Sequence, residues 1–346
     1  MAGIEAVGDV DEDATQDATQ RDDGMDGVLL RARGLTKRFG DFTAVDGIDV
    51  EVRAGESFGF LGPNGAGKSS TMKMIGCVSP VTAGELRIFG LDPATDGAAI
   101  RARLGVCPQE DMLDGELTVE ENLWIYGRYF GLSRREAKDR AVQLLDFAQL
   151  TERRGDRVEP LSGGMKRRLT IARSLISKPE LLLLDEPTTG LDPQARHLLW
   201  DRLFRLKRQG VTLIVTTHYM DEAEQLCDRL VVMDGGRIAD EGSPRQLIER
   251  HCSREVLELR FDAELDAAPT DPATDATTDA PTIAARLVDI GDRVEVLPDR
   301  VLVYADDGEA ALATVHARGV RPMSSLVRRA SLEDVFLHLT GRSLVD

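Results

Sequence analysis

The sequence predicts an α/β fold: a parallel sheet covered on both faces, a helical subdomain, and a small C-terminal α+β domain. Three observations carry that prediction. Short, wholly apolar runs at 181–184 and 211–215 flank a helix-like segment, the pattern of strands buried on both faces. A long helical stretch over 118–150 interrupts the alternation. A glycine-rich loop at 62–69 stands between a strand and a helix, the context in which such a loop cradles phosphate.

The elements follow in order. Residues 28–33 alternate like a strand, and strands at 47–52 and 57–61 flank the turn Arg53-Ala54-Gly55-Glu56. A helix follows over 68–75, then short strands at 86–89 and 104–107. Helical periodicity is concentrated in 120–130 and 134–147 and returns over 165–176. Strand 181–184, helix 194–209, strand 211–215 and strand 230–233 complete this part, ending at the turn Asp234-Gly235-Gly236. Beyond it lie a strand at 255–261, a hairpin of 293–297 and 301–304 around Pro298-Asp299-Arg300, and a helix at 309–318. A last helix opens on the capping-box-like run Ser331-Leu332-Glu333-Asp334.

At 346 residues the chain has room for about two domains. Its formal net charge of −17 is unevenly placed: residues 1–27 carry −8 and residues 261–281 carry −6, while 28–260 carry only −1. Both acidic stretches are rich in Ala, Thr and Asp, with too little apolar surface to offset chain entropy. They are expected to be a disordered tail (1–27) and a loop (261–281) around a nucleotide-binding domain at 28–254, whose helical subdomain spans about 110–165. The small domain is 255–346. Overall acidity disfavours a nucleic-acid partner. No apolar run approaches the ~20 residues of a spanning helix, and the acidic start lacks the pattern of a secretory signal. The expectation is a cytoplasmic chain. Cys77, Cys107, Cys227 and Cys252 form no CxxC pair and read as reduced, mostly buried small hydrophobes.

Gly62-Pro63-Asn64-Gly65-Ala66-Gly67-Lys68-Ser69 fits G-x-x-x-x-G-K-[ST]. Glycines let backbone N–H groups turn inward around phosphate oxygens, and the helix N-terminus adds partial positive charge. Lys68 is expected on the β/γ-phosphates of a nucleotide and Ser69 on Mg²⁺, with Ser70 beside it. Leu181-Leu182-Leu183-Leu184-Asp185 carries a second Mg²⁺ ligand, Asp185, to a strand's carboxyl end, where open α/β sheets bind ligands. Glu186 is then placed as general base for an attacking water.

Leu161-Ser162-Gly163-Gly164-Met165, just ahead of that strand and paired with the earlier loop, resembles the signature of ATP-binding cassette (ABC) ATPases, a P-loop NTPase fold. The resemblance implies that two cassettes pair head-to-tail, each Ser162–Gly164 segment closing on the γ-phosphate held by the other copy. It also implies roles for residues falling in the family's order. Gln109 resembles the glutamine joining the Mg²⁺/water site to the helical subdomain. Asp192 lies in a loop reaching across the dimer, and His218 resembles the switch histidine at the γ-phosphate. Phe39 matches the aromatic that stacks on adenine. Two departures are Phe39 where Tyr is commoner and Met165 where many relatives have Gln.

The runs Leu161-Ser162-Gly163-Gly164-Met165-Lys166-Arg167-Arg168-Leu169 and Thr217-His218-Tyr219-Met220-Asp221-Glu222-Ala223-Glu224 resemble drug-resistance (daunorubicin-type) and nodulation-factor (lipo-oligosaccharide) exporter cassettes. Gly190-Leu191-Asp192-Pro193-Gln194-Ala195-Arg196-His197 leans toward the nodulation branch. The resemblance implies an ATPase powering export through a separately encoded membrane permease, peripheral on the cytoplasmic face of the membrane. A non-transport cassette acting as a nucleotide-gated binding module is the alternative. The single cassette, the lack of a long coiled-coil insert and the near-neutral core weigh against it. Intact Lys68, Asp185, Glu186 and His218 weigh against a catalytically dead subunit.

Overall fold

The computed structural model describes residues 27–261, 285–297 and 299–341. The acidic stretches at 1–27 and 261–281 lie outside the described residues, apart from Gly27 and Phe261. So does Pro298 of the C-terminal hairpin. Among the described residues, no helix is long and apolar enough to cross a membrane. All four cysteines are free.

The described residues open with two twelve-residue strands, β1 (Val28–Phe39) and β2 (Phe42–Arg53), followed by β3 (Ser57–Leu61). Then come α1 (Lys68–Ile75), β4 (Ala83–Ile88), α2 (Pro93–Arg103) and β5 (Leu104–Cys107). The helical insert contains α3 (Val119–Tyr129) and α4 (Arg134–Ala148) and leads to α5 (Gly163–Ser174). Each insert helix starts with a reciprocal capping box, Thr118 with Glu121 and Ser133 with Glu136. The second half contains β6 (Leu181–Asp185), α6 (Pro193–Arg208), β7 (Thr212–Thr217), α7 (Met220–Leu226), β8 (Arg229–Asp234), β9 (Arg237–Gly242) and α8 (Pro244–His251). The C-terminal part is β10 (Glu255–Arg260), β11 (Arg293–Leu297), β12 (Arg300–Ala305), α9 (Gly308–Ala317), β13 (Ser324–Arg329) and α10 (Leu332–Thr340).

A six-stranded sheet, ordered β5-β6-β7-β3-β8-β9, is parallel except for its edge strand β9. Strand β6 shows why its sequence is unbroken leucine. Leu182 and Leu184 enter the core shared with α3–α7, whereas Leu181 and Leu183 enter the core under α1, α2 and the antiparallel sheet β2-β1-β4. A period of two with both faces covered leaves no position for a polar residue until Asp185. The C-terminal strands form an antiparallel sheet, β11-β12-β10-β13.

Strands β1 and β2 run longer than the alternation indicates, because bulges at 32–37 shift their register. Gly84 on β4 lies so close to β1 that a Cβ there would sit 2.1 Å from the Gly34 carbonyl oxygen. Helix α2 buries only Ile100, so its apolar periodicity is faint. Its start is fixed locally: Asp92 caps the Ala94 N–H at 2.8 Å, and proline occupies the first turn.

Candidate nucleotide site

The glycine-rich loop leaves β3 at the sheet's switch point, where β3 lies between β7 and β8. Two glycines are dictated by close approach. A Cβ on Gly62 would meet the Met233 carbonyl oxygen at 2.3 Å, and one on Gly67 (φ +101°) would meet that of Ala44 at 2.5 Å. Pro63, Asn64 and Gly65 stay at least partly exposed, and Ala66 packs inward. Lys68 is buried and folds back over the loop, donating to the carbonyls of Gly62 at 2.6 Å and Pro63 at 3.0 Å. Burial pushes its ammonium below the ordinary lysine pKa, and Glu186 and Asp185 pull it back up. Ser69 Oγ donates to Asp185 Oδ1 at 3.3 Å, and the Thr216 hydroxyl donates to the same oxygen. Ser70 is half-buried one residue further along α1.

Glu186 is the meeting point. It is buried and has a left-handed backbone (φ 47°), an uncommon state for a non-glycine residue. Its own N–H holds it there, donating to Thr216 O at 3.1 Å and Thr216 Oγ1 at 3.0 Å. Gln109 Nε2 and Thr189 Oγ1 donate to its Oε2 at 3.3 and 3.2 Å. His218 Nδ1 lies 3.3 Å and Lys68 Nζ 3.9 Å from its Oε1. The His218 approach is off the hydrogen-bonding direction, which leaves Nδ1 unpaired. Four side chains thus converge on one carboxylate.

The remaining expected residues lie on the surface. Ser162 caps α5 by accepting the Met165 N–H at 3.3 Å, and both Ser162 and Gly163 are exposed. Gly164 lies against the start of α6, where a Cβ would come 3.5 Å from Ala195. Asp192 is exposed and caps the Ala195 N–H at 2.9 Å. Among the described residues, no hydrogen bond or ion pair joins 162–164 or Asp192 to Lys68, Ser69, Asp185 or Glu186. Phe39 is 53% exposed at the β1–β2 hairpin tip, its ring 4.9 Å from Lys37 Nζ. That hairpin leads within two residues of Phe42 to Ala44, the residue abutting Gly67.

Sequence reasoning missed Arg167, which is only 4% exposed. Its guanidinium donates to the carbonyls of Pro187 (2.9 Å), Asp185 (2.8 Å), Glu186 (3.1 Å), Pro108 (2.5 Å) and Gln109 (3.2 Å). One side chain on α5 therefore ties together the loops that carry Glu186 and Gln109. A signal existed: Arg167, Thr170, Ile171 and Ser174 share the buried face of α5.

Glu222 was also missed. It is fully buried on α7, four residues after His218, and Trp200 Nε1 approaches it at 3.5 Å. Burial pushes its carboxyl up to about 7, with Thr217, Thr188 and Trp200 acting the other way. Below the unfolded value of 4.5 the residue is neutral in both states and destabilises nothing. Between about 4.5 and 7 the unfolded chain ionises first, so stability falls as pH rises through that window. At about 1.4 kcal/mol per unit, the loss is on the order of 3 kcal/mol. Glu222→Gln should therefore gain stability over the parent at pH 8 but not at pH 4, measured by urea unfolding at both.

Fold and site together define a P-loop ATPase of the ATP-binding cassette class. Residues 45–189 match the family described as ABC transporter, and residues 281–341 match the Nodulation factor export protein NodI, C-terminal domain. The chain is 44% identical over 322 residues to the Nod factor export ATP-binding protein I of Ralstonia nicotianae, covering 92% of this chain and 95% of that one. It is 45% identical over 320 residues to the same-named protein of Rhizobium sp. strain N33, covering 92% and 99%. This chain belongs to the ABC transporter ATP-binding proteins, in the family of the Nod factor export ATP-binding subunits. Among solved structures it resembles an ATP-binding subunit of an ABC transporter (31% identity, TM-score 0.59, 64% of this chain and 92% of that chain). It also resembles a dimeric cassette in a post-hydrolysis state bound to ADP and Pi (27%, TM-score 0.58, 62% and 98%).

Proposed function

We propose that this chain hydrolyses ATP, as one of a pair of copies, to drive a separate membrane permease exporting a lipo-oligosaccharide of the Nod factor class. The observation that carries this reading is the convergence of Lys68, Gln109, Thr189 and His218 on the buried Glu186. The cargo class comes from the names of the relatives and the match of the C-terminal domain.

Lys68 exchanges the neutral carbonyls of Gly62 and Pro63 for the charged β/γ-phosphates, which are the stronger acceptors for an ammonium. Ser69 and Asp185, whose oxygens already lie 3.3 Å apart, fit a hard divalent cation, and Gln109 stands beside them. Mg²⁺ held there with the phosphates would offset the charge that builds on them. Glu186 accepts the proton of the water that attacks the γ-phosphorus as the bond to the ADP oxygen breaks. His218 orients that water and phosphate. Phe39 offers its exposed ring face to adenine.

The exposed helix start at Ser162–Gly164 offers free N–H groups and partial positive charge to the γ-phosphate of a second copy. Asp192, exposed one residue after the Leu191 side chain that Gly164 abuts, serves as a second cross-dimer contact in this reading. The helical subdomain passes closure to the permease, which places the chain at the cytoplasmic side of the membrane. Affinity purification of the tagged full chain from detergent-solubilised membranes tests this: a multi-spanning permease should co-purify in stoichiometric amount. Recovery of ribosomes or DNA in its place would contradict the exporter reading and favour a non-transport cassette.

A further inference from the structure

The last described helix, α10, is built into the core of the nucleotide-binding part. Leu332, Val335 and Phe336 of α10 are each at most 1% exposed, and they share one apolar cluster with Ala223 and Leu226 of α7 and Leu247 of α8. On its other side, Leu337 packs with Val256, Leu302 and Tyr304 of the C-terminal sheet. Helix α10 is thus held by both parts at once.

Its N-terminus is fastened in the same two directions. On the sheet side Asp334 accepts the Ser331 N–H at 2.8 Å, a fork from Arg328 at 2.7 and 2.9 Å, and the Tyr304 hydroxyl at 3.2 Å. On the other side the Leu332 N–H, one of the four a helix start leaves without an internal acceptor, donates to Glu224 Oε1 at 2.7 Å. Glu224 lies on α7. That seven-residue helix begins two positions after His218, and the ring of its N-cap Tyr219 packs against the His218 ring, tilted by 42° with centroids 4.1 Å apart. The path from α10 to the histidine is one short helix.

We propose that Glu224 is a positioning residue: by capping α10 it fixes α7, and with it His218, so that the C-terminal domain sets the rate of ATP hydrolysis and not the affinity for nucleotide. The proposal rests on the switch role of His218 given above. Glu224 is half-buried and borders an open groove lined also by Arg245, Ile248 and Ala330, so its truncation leaves no sealed cavity.

The test uses the full chain, measuring steady-state ATP hydrolysis and the binding of a fluorescent ATP analogue. Glu224→Ala should lower kcat by about 3- to 10-fold with KM and analogue affinity within about two-fold of the parent. Glu224→Gln, whose amide oxygen can still accept from Leu332, should restore most of the rate. In a His218→Ala background Glu224→Ala should have no further effect. An unchanged kcat in Glu224→Ala would overturn the proposal. So would a Glu224→Gln variant as slow as Glu224→Ala, or a further loss in the His218→Ala background. Full turnover in His218→Ala alone would instead remove the switch reading, and this proposal with it.

Discussion

Replacing Glu186 with glutamine should lower ATP turnover by about 10²–10⁴-fold while ATP binding persists. The geometry separates the two effects. Glu186 touches the loop only through the 3.9 Å approach of Lys68, whose firm bonds are to Gly62 and Pro63. A glutamine keeps the shape and one oxygen acceptor for Gln109 and Thr189, so the surrounding loops need not move. It cannot take a proton from water. It also removes a negative charge next to the phosphates, which favours bound ATP. Phosphate release and ATP affinity measured on the same preparation check this, and turnover within a few-fold of the parent would take Glu186 out of the base role.

Arg167→Met should destabilise the chain by on the order of 3–5 kcal/mol, because several carbonyls lose their donor in a dry environment. For a domain of this size that corresponds to a fall in Tm of roughly 10 °C. Turnover should fall as well, since Asp185, Glu186, Pro108 and Gln109 share this one anchor. Arg167→Lys keeps the charge but not the planar fork and should fall between the two. Calorimetry with hydrolysis assays on all three chains checks the order. A Met variant as stable as the parent would show that these bonds carry little of the fold.

Local chemistry explains which features could be read in advance. Helix α1 was legible to the residue because a loop motif fixes its start and Gly76 its end. Strand β6 was legible because two apolar faces leave a run of leucine. Strands β9 and β13 were not, since their sequences Arg-Ile-Ala-Asp-Glu-Gly and Ser-Ser-Leu-Val-Arg-Arg lie at sheet edges and show little apolar alternation. Within the site, Lys68, Ser69, Asp185 and Glu186 were found through residue type and spacing. Arg167 hid in the basic run Lys166-Arg167-Arg168, where only one of three cations turns inward. Glu222 hid among the acids of Asp221-Glu222-Ala223-Glu224, two of which turn out to have separate tasks. Residue type suggests a solvated face in both runs, and only helical phase distinguishes the buried member.

The proposed pairing leaves one chain with half of each site. Lys68, Asp185, Glu186 and His218 gather within the chain, while Ser162, Gly163 and Asp192 face outward. Sedimentation of Glu186→Gln with and without Mg²⁺-ATP tests it most directly. A mass twice the chain's 37.9 kDa with ATP, returning to the single-chain mass with ADP, is the predicted result. A single-chain mass at saturating ATP, in a preparation whose parent hydrolyses ATP at full rate, would contradict it.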